Sequence, residues 1–206
     1  MKTKEVYVSN DGTGRDEALE VVEQYSFSRG FDKKPRLHAR LLAEELLGMV
    51  SEITGKFYAY FWVEDNDTAY MLHLSAQSEM NTKKYDMLLD SSTSGKNSAV
   101  KGIMGKIRNA FEYYWKGYKE GMDSYGLADY ESFLTYGINS DSMAGSSGVW
   151  TLTQYRTAVV NENENNEYSQ EWDELERSII ANLADDVSVG IKGDKVEIII
   201  TKKYEQ

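Results

Sequence analysis

The sequence predicts an α+β fold, a two-layer α/β sandwich whose sheet is covered on one face by helices, and three observations carry that expectation. KFYAYFWVE (56–64) and TAYMLHLSAQS (68–78) flank a DND turn, and both arms are rich in aromatic and β-favouring residues, the pattern of a hairpin. Directly before it, Leu42, Leu46, Met49 and Ile53 recur at intervals of four, three and four, the core stripe of an amphipathic helix. The chain closes on VSVGIKGDKVEIIITKKY (187–204), a second hairpin with Gly193 and Asp194 at its turn. Hairpins segregated from long helices, rather than strands alternating with them, argue against βαβ units.

The elements follow in order. KEVYVS (4–9) alternates as a short strand, and NDGTG breaks it before a helix from about Arg15 to Arg29. Pro35 is tolerated in a first helical turn, so the next helix starts there and runs to about Thr54, with Gly55 as its stop. After the first hairpin come a short helix at 82–90, a small polar loop SSTSGKNS, and a long amphipathic helix marked by Val100, Ile103, Met104, Ile107, Phe111 and Tyr114. Residues 117–148 hold no sustained period apart from one short helix near 129–136. VWTLTQYRTAVV (149–160) has strand composition, NENENNEYSQ is a solvated loop, and EWDELERSIIANLADD (171–186) is a helix. Residues 1–206 thus form a single domain, with 117–170 as an irregular insertion.

Composition narrows function. The 41% hydrophobic and 28% charged content, with 15 tyrosines and 4 tryptophans, belongs to a folded chain. A net charge of −11 argues against general nucleic-acid binding, which needs a basic surface to release counterions. No apolar run approaches the roughly 18 residues that cross a bilayer, and MKTKEVYVSNDG lacks the apolar segment of a signal peptide. With no cysteine there is no disulfide framework, so a cytoplasmic location is expected.

His38 and His73 are the only histidines, which leaves zinc sites and histidine-dependent triads little raw material; His73, between Leu72 and Leu74, is expected to face outward from its strand. From Ser91 to Phe111 no acid occurs, while Lys96, Lys101, Lys106 and Arg108 do. A small-residue loop opening a helix suits a phosphate, and Gly95, Gly102 and Gly105 would let backbone approach it. The spacing is not that of a Walker A loop, and the bland alternative is a solvated helix face with glycines at a packing contact. In the helix before the hairpin, Glu44 and Gly48 lie roughly 40° apart at about 100° per residue, on the side away from the core stripe, with Arg40 and Ser51 nearby. Covered by a ligand, Glu44 would orient a water or accept a proton; uncovered, it is simply solvated.

The element order, the Glu44 helix, the following hairpin and the Gly/Ser-rich segment leading into a helix together resemble the histidine-kinase-like ATPase superfamily (GHKL, or Bergerat fold), in the short form of the anti-sigma-factor serine kinases. The similarity spans residues 1–116 and about 171–203. It implies a mixed, mainly antiparallel sheet and ATP as ligand. The family's ExxxN helix supplies a glutamate for phosphoryl chemistry and an asparagine for magnesium; Glu44 matches the first, but Gly48 stands at the second, so magnesium is not expected in the family manner. The family's DxGxG, whose aspartate reads the adenine, falls on Ala76, Gln77 and Ser78, without aspartate or glycine. The glycine-rich lid is similar to SGKNSAVKGIMGKI, placing Gly95, Lys96, Lys101, Gly102 and Gly105 at the phosphates.

What the resemblance implies is a cytosolic regulatory protein with a degenerate nucleotide site, acting through a protein partner, with catalysis weak or absent. An active serine kinase or ATPase using Mg-ATP, with Glu44 as base, is the alternative. Tyr118, Tyr125, Tyr130, Phe133 and Tyr136 in the insertion would form the partner surface or pack over the empty pocket. Anti-sigma kinases are dimeric, so the resemblance also admits a homodimer.

Overall fold

A computed structural model describes residues 1–54, 57–78, 149–163, 178–192 and 195–204. The elements expected at 82–90, 100–114 and 129–136, and the aromatic residues Tyr118, Tyr125, Tyr130, Phe133 and Tyr136, lie outside the described residues. The order is β1 (Val6–Ser9), α1 (Arg15–Ser28), α2 (Lys33–Thr54), β2 (Phe57–Asp65), β3 (Ala69–Ser78), β4 (Val149–Thr151), α3 (Leu152–Asn163), α4 (Ile179–Leu183), β5 (Asp186–Lys192) and β6 (Lys195–Lys203). The six strands form one sheet in the order β1-β2-β3-β6-β5-β4. The class is α+β. Every described pairing is antiparallel, where a mixed sheet was expected.

Alternation fixes which face of the sheet is buried. Across the register, Val6 stands opposite Phe61, Phe61 opposite Leu74, Leu74 opposite Ile198 and Ile198 opposite Val189. These residues are buried and share one core with Leu19 and Val22 of α1 and Leu42 and Leu46 of α2. The next row, Val63, Leu72, Ile200 and Val187, is buried likewise. On the opposite face Tyr7, Tyr58 and Tyr60 are exposed.

Two glycines shape the path of the chain. Gly14, at φ 75°, stands at the start of α1, and a Cβ there would lie 1.8 Å from the Tyr7 carbonyl oxygen, so only glycine lets this loop close over β1. Gly30, at φ 69°, ends α1: the Phe31 N–H donates to the Ser26 carbonyl at 3.0 Å and the Gly30 N–H to that of Phe27 at 3.0 Å. This left-handed cap turns the chain directly into α2.

The first hairpin differs from expectation by one residue. Asp65 belongs to β2, opposite Tyr70, and the turn is Asn66 to Thr68. There the Asn66 Oδ1 accepts the Thr68 and Ala69 N–H groups at 2.8 and 2.9 Å, an Asx turn.

The expected strand at 149–160 is corrected: after three residues of β4 the chain turns into α3. Asp186 accepts the Thr153 N–H at 3.0 Å, Thr151 Oγ1 accepts that of Gln154 at 3.2 Å, and Leu152 is fully buried. Caps of this kind satisfy the free donors of a first helical turn, and they outweigh the β-favouring composition. Residues 149–163, read from sequence as part of the insertion, are therefore β4 and α3.

Candidate functional site

The helix-borne face expected to carry the chemistry is built by α2 against α1. Ala39, Leu42, Ala43, Leu46, Leu47 and Met49 of α2 are buried, which leaves Glu44 half-buried on its flank. There the Arg40 Nε donates to Glu44 Oε1 at 3.0 Å, one helical turn apart, and the Arg40 Nη1 donates to Glu23 Oε1 of α1 at 3.1 Å. The Glu23 carboxylate, and behind it that of Glu44, hold the Arg40 guanidinium above its ordinary value against the opposing effect of burial. Glu44 is therefore one end of an interhelix ion network.

The other expected site residues distribute as follows. Gly48 is half-buried, and a Cβ built on it would meet nothing within 4 Å, so no close contact requires glycine here. As it stands, the position offers no side-chain donor for a metal. Ala76 of β3 is fully buried among core residues, opposite Ala59 and Val196, so the position that the resemblance aligns with a base-reading acid is apolar. Ser78 closes β3 opposite Phe57. Gly95, Lys96, Lys101, Gly102 and Gly105 lie outside the described residues. Among the described residues, no group of three His, Asp or Glu side chains is arranged to hold a metal ion.

The strongest polar constellation is one that sequence patterning missed. Asp65, whose side chain is completely inaccessible, accepts from the Tyr25 hydroxyl at 2.9 Å, the Tyr204 hydroxyl at 3.0 Å, the Arg29 guanidinium and the Met1 ammonium at 2.6 Å. Burial pushes its carboxyl up, but the four donors outweigh burial and bring it down to about 2. The Tyr25 and Tyr204 hydroxyl oxygens lie 2.9 Å apart on the same carboxylate, and burial raises both phenols. The cluster ties the end of α1, the end of β2 and the residue after β6 into one knot. Its sequence signal is the alternation Ala59, Phe61, Val63, Asp65, which puts an acid at an inward-facing position.

His73 does stand on the outer face, yet it is 8% exposed. Its ring stacks on Trp62 with centroids 4.7 Å apart and planes at 9°, and the Lys2 ammonium lies 4.7 Å from the centroid of the Trp62 ring. Burial holds its imidazole below the usual value, against the opposing pull of Glu64 and Glu197. Neither ring nitrogen has a hydrogen-bond partner among the described residues. Its Nε2 lies 3.8 Å from Glu64 Oε2, beyond hydrogen-bond reach.

Set against known protein families, characterised proteins and solved structures, the chain has no match.

Proposed function

We propose that this chain is a cytosolic regulatory protein built on a degenerate sandwich of the histidine-kinase-like ATPase type, acting by binding a protein partner rather than by turning over nucleotide. The observation that carries this reading is the state of Glu44. Phosphoryl transfer works by positioning, by charge neutralisation and by an acid available to the nucleophile. Here the acid is engaged by Arg40, which is engaged in turn by Glu23. A fully buried alanine at position 76 supports the same reading, since no carboxylate is there to meet an adenine amino group. Tyr7, Tyr58 and Tyr60, 41%, 52% and 50% exposed on one face, supply the residue type that interfaces favour. The net charge of −11 favours a partner with a basic surface.

The test is turnover with Mg-ATP in the full chain and in Glu44→Gln. The expected result is hydrolysis and phosphotransfer at the buffer background in both proteins. Turnover that disappears in Glu44→Gln would overturn the reading in favour of an active kinase or ATPase. For the partner, a captured protein is purified and rebound; the double variant Tyr58→Ser/Tyr60→Ser is expected to weaken that binding at least fivefold.

A further inference from the structure

The outer face of the sheet gathers an aromatic patch beside a fixed carboxylate. Tyr7 pairs directly with Tyr60 across β1 and β2, and Tyr58, two residues from Tyr60 along β2, shares their face. The Tyr7 and Tyr58 rings stack at 6.3 Å between centroids with planes 25° apart, and Tyr60 stands at 71° to Tyr7 at 6.0 Å. All three side chains are exposed, so the electron-rich ring faces are open to a ligand.

The carboxylate comes from the turn after β1. Ser9 stands directly opposite Tyr58 on the same face, and its hydroxyl donates to the Asp11 carboxylate, which also accepts the Thr13 N–H at 2.9 Å. These bonds hold the Asp11 carboxyl down at about 2, so it is ionised at neutral pH. Desolvation first, and then Tyr58 and Asp11, raise the Tyr7 phenol, which puts the Asp11 carboxylate within electrostatic reach of that ring. Farther across the sheet Lys195 lies in the row of Tyr58 and Gln77, and Glu197 in the row of Tyr60 and Ser75, so these two charges offset each other. The same face shows what a ring and a carboxylate together can hold. Trp62, two residues beyond Tyr60, carries the Lys2 ammonium 4.7 Å from its ring centroid, and Glu5 pairs with that ammonium at 2.9 Å. There the chain supplies the cation itself. Among the described residues no cation stands over Tyr7, Tyr58 or Tyr60.

We propose that Tyr7, Tyr58, Tyr60 and Asp11 form a docking site for an arginine side chain of the protein partner: the guanidinium lies flat on the tyrosine rings and donates to the Asp11 carboxylate. A planar cation that stacks by its face and hydrogen-bonds by its edge matches this combination better than a strongly hydrated ammonium does. A chain of net charge −11 also draws a basic segment toward it at long range. The inference rests on the reading that a partner binds this face, and it names the group the partner brings.

The experiment holds peptide length constant and changes the side chain. Acetyl-Gly-Arg-Gly-Arg-Gly-amide and its lysine and citrulline counterparts are titrated into the full chain and followed by amide chemical shifts. The expected order of affinity is arginine above lysine above citrulline, with about tenfold between the first and the last and shifts concentrated at residues 7–13 and 58–60. Asp11→Asn keeps an acceptor for Ser9 and Thr13 and removes the charge; it is expected to weaken the arginine peptide about fivefold. Asp67→Asn makes the same change of charge in the exposed turn between β2 and β3 and should leave that affinity within about twofold. Tyr58→Ser/Tyr60→Ser, on a different element from Asp11, is expected to weaken it about fivefold. Citrulline bound as tightly as arginine, equal effects of Asp11→Asn and Asp67→Asn, or no binding of any peptide would overturn the proposal. No response to the peptides, with the same amides shifting as protein concentration rises, would overturn it in favour of a second copy of this chain. The titration contains no nucleotide, so its failure with Mg-ATP turnover at background removes the arginine site and leaves the regulatory reading standing, whereas turnover lost in Glu44→Gln removes that reading alone.

Discussion

Asp65 shows how a single carboxylate can be indispensable and still be hidden in a sequence that reads DND. Inward-facing at the end of β2, it would be an isolated buried charge, costing several kcal/mol, were it not met by the Arg29 guanidinium, two tyrosine hydroxyls and an ammonium. Its folded carboxyl titrates near 2, against an ordinary value of 3.8, a difference corresponding to about 2 kcal/mol. Because the folded value is the lower one, this contribution is complete above about pH 4 and is lost as pH falls toward 2. Asp65→Asn is expected to lower the free energy of unfolding by about 3 kcal/mol at pH 7, since it removes one side of a buried charge cluster. The gap to the unaltered protein should then narrow by about 2 kcal/mol between pH 6 and pH 2. Urea titrations at each pH check this, and a gap independent of pH would show that the carboxylate's charge contributes nothing.

At the scale of elements, local patterning found what is locally determined. The stripe of Leu42, Leu46 and Met49 is buried as the helical period requires, and the alternating arms at 57–65 and 69–78 pair in the expected hairpin. It failed where a distant residue decides. Thr153 enters a helix because Asp186, 33 positions later, receives its N–H and hydroxyl at 3.0 and 2.9 Å, and no window of sequence contains both residues. Arg156 extends the same long-range logic. Its guanidinium donates to the carbonyls of Ala181, Ala184 and Asp185, at and just past the end of α4, and so fastens α3 to the turn before β5. A planar fork with several donors reaches three carbonyls at once, and an ammonium does not. Arg156→Ala is expected to cost about 2 kcal/mol in thermal or urea unfolding. Arg156→Lys should recover less than half of that, and full recovery would mean that charge rather than geometry joins these elements.

For the whole molecule, the decisive fact is that the last strand lies in the middle of the sheet. β6 pairs with β3 on one side and β5 on the other, so residues 195–203 join the hairpin at 57–78 to the later strands. The sequence made both hairpins legible but not this junction, nor the aromatic cluster beside it, because Phe31, Tyr70 and Tyr204 converge only once β6 has inserted beside β3. Glu44 was legible as a residue off the core stripe with Arg40 one turn away on the same helix, whereas the further bond from Arg40 to Glu23 depends on how α1 packs against α2. Central insertion also predicts how stability is shared. Ile198 is fully buried, standing between Leu74 and Val189. Truncation to alanine removes apolar contact from both neighbours at once and is expected to cost about 3 to 4 kcal/mol. Contact loss at a joining strand should loosen both sides together, in contrast to an edge strand, whose loss is felt by one neighbour. In hydrogen exchange on the full chain, Ile198→Ala should therefore accelerate peptides covering 57–65 and 186–192 by similar factors. Val6→Ala, on the edge strand β1, should affect the first peptide far more than the second. If Ile198→Ala leaves 57–65 unchanged, the two halves of the sheet open independently and β6 does not couple them.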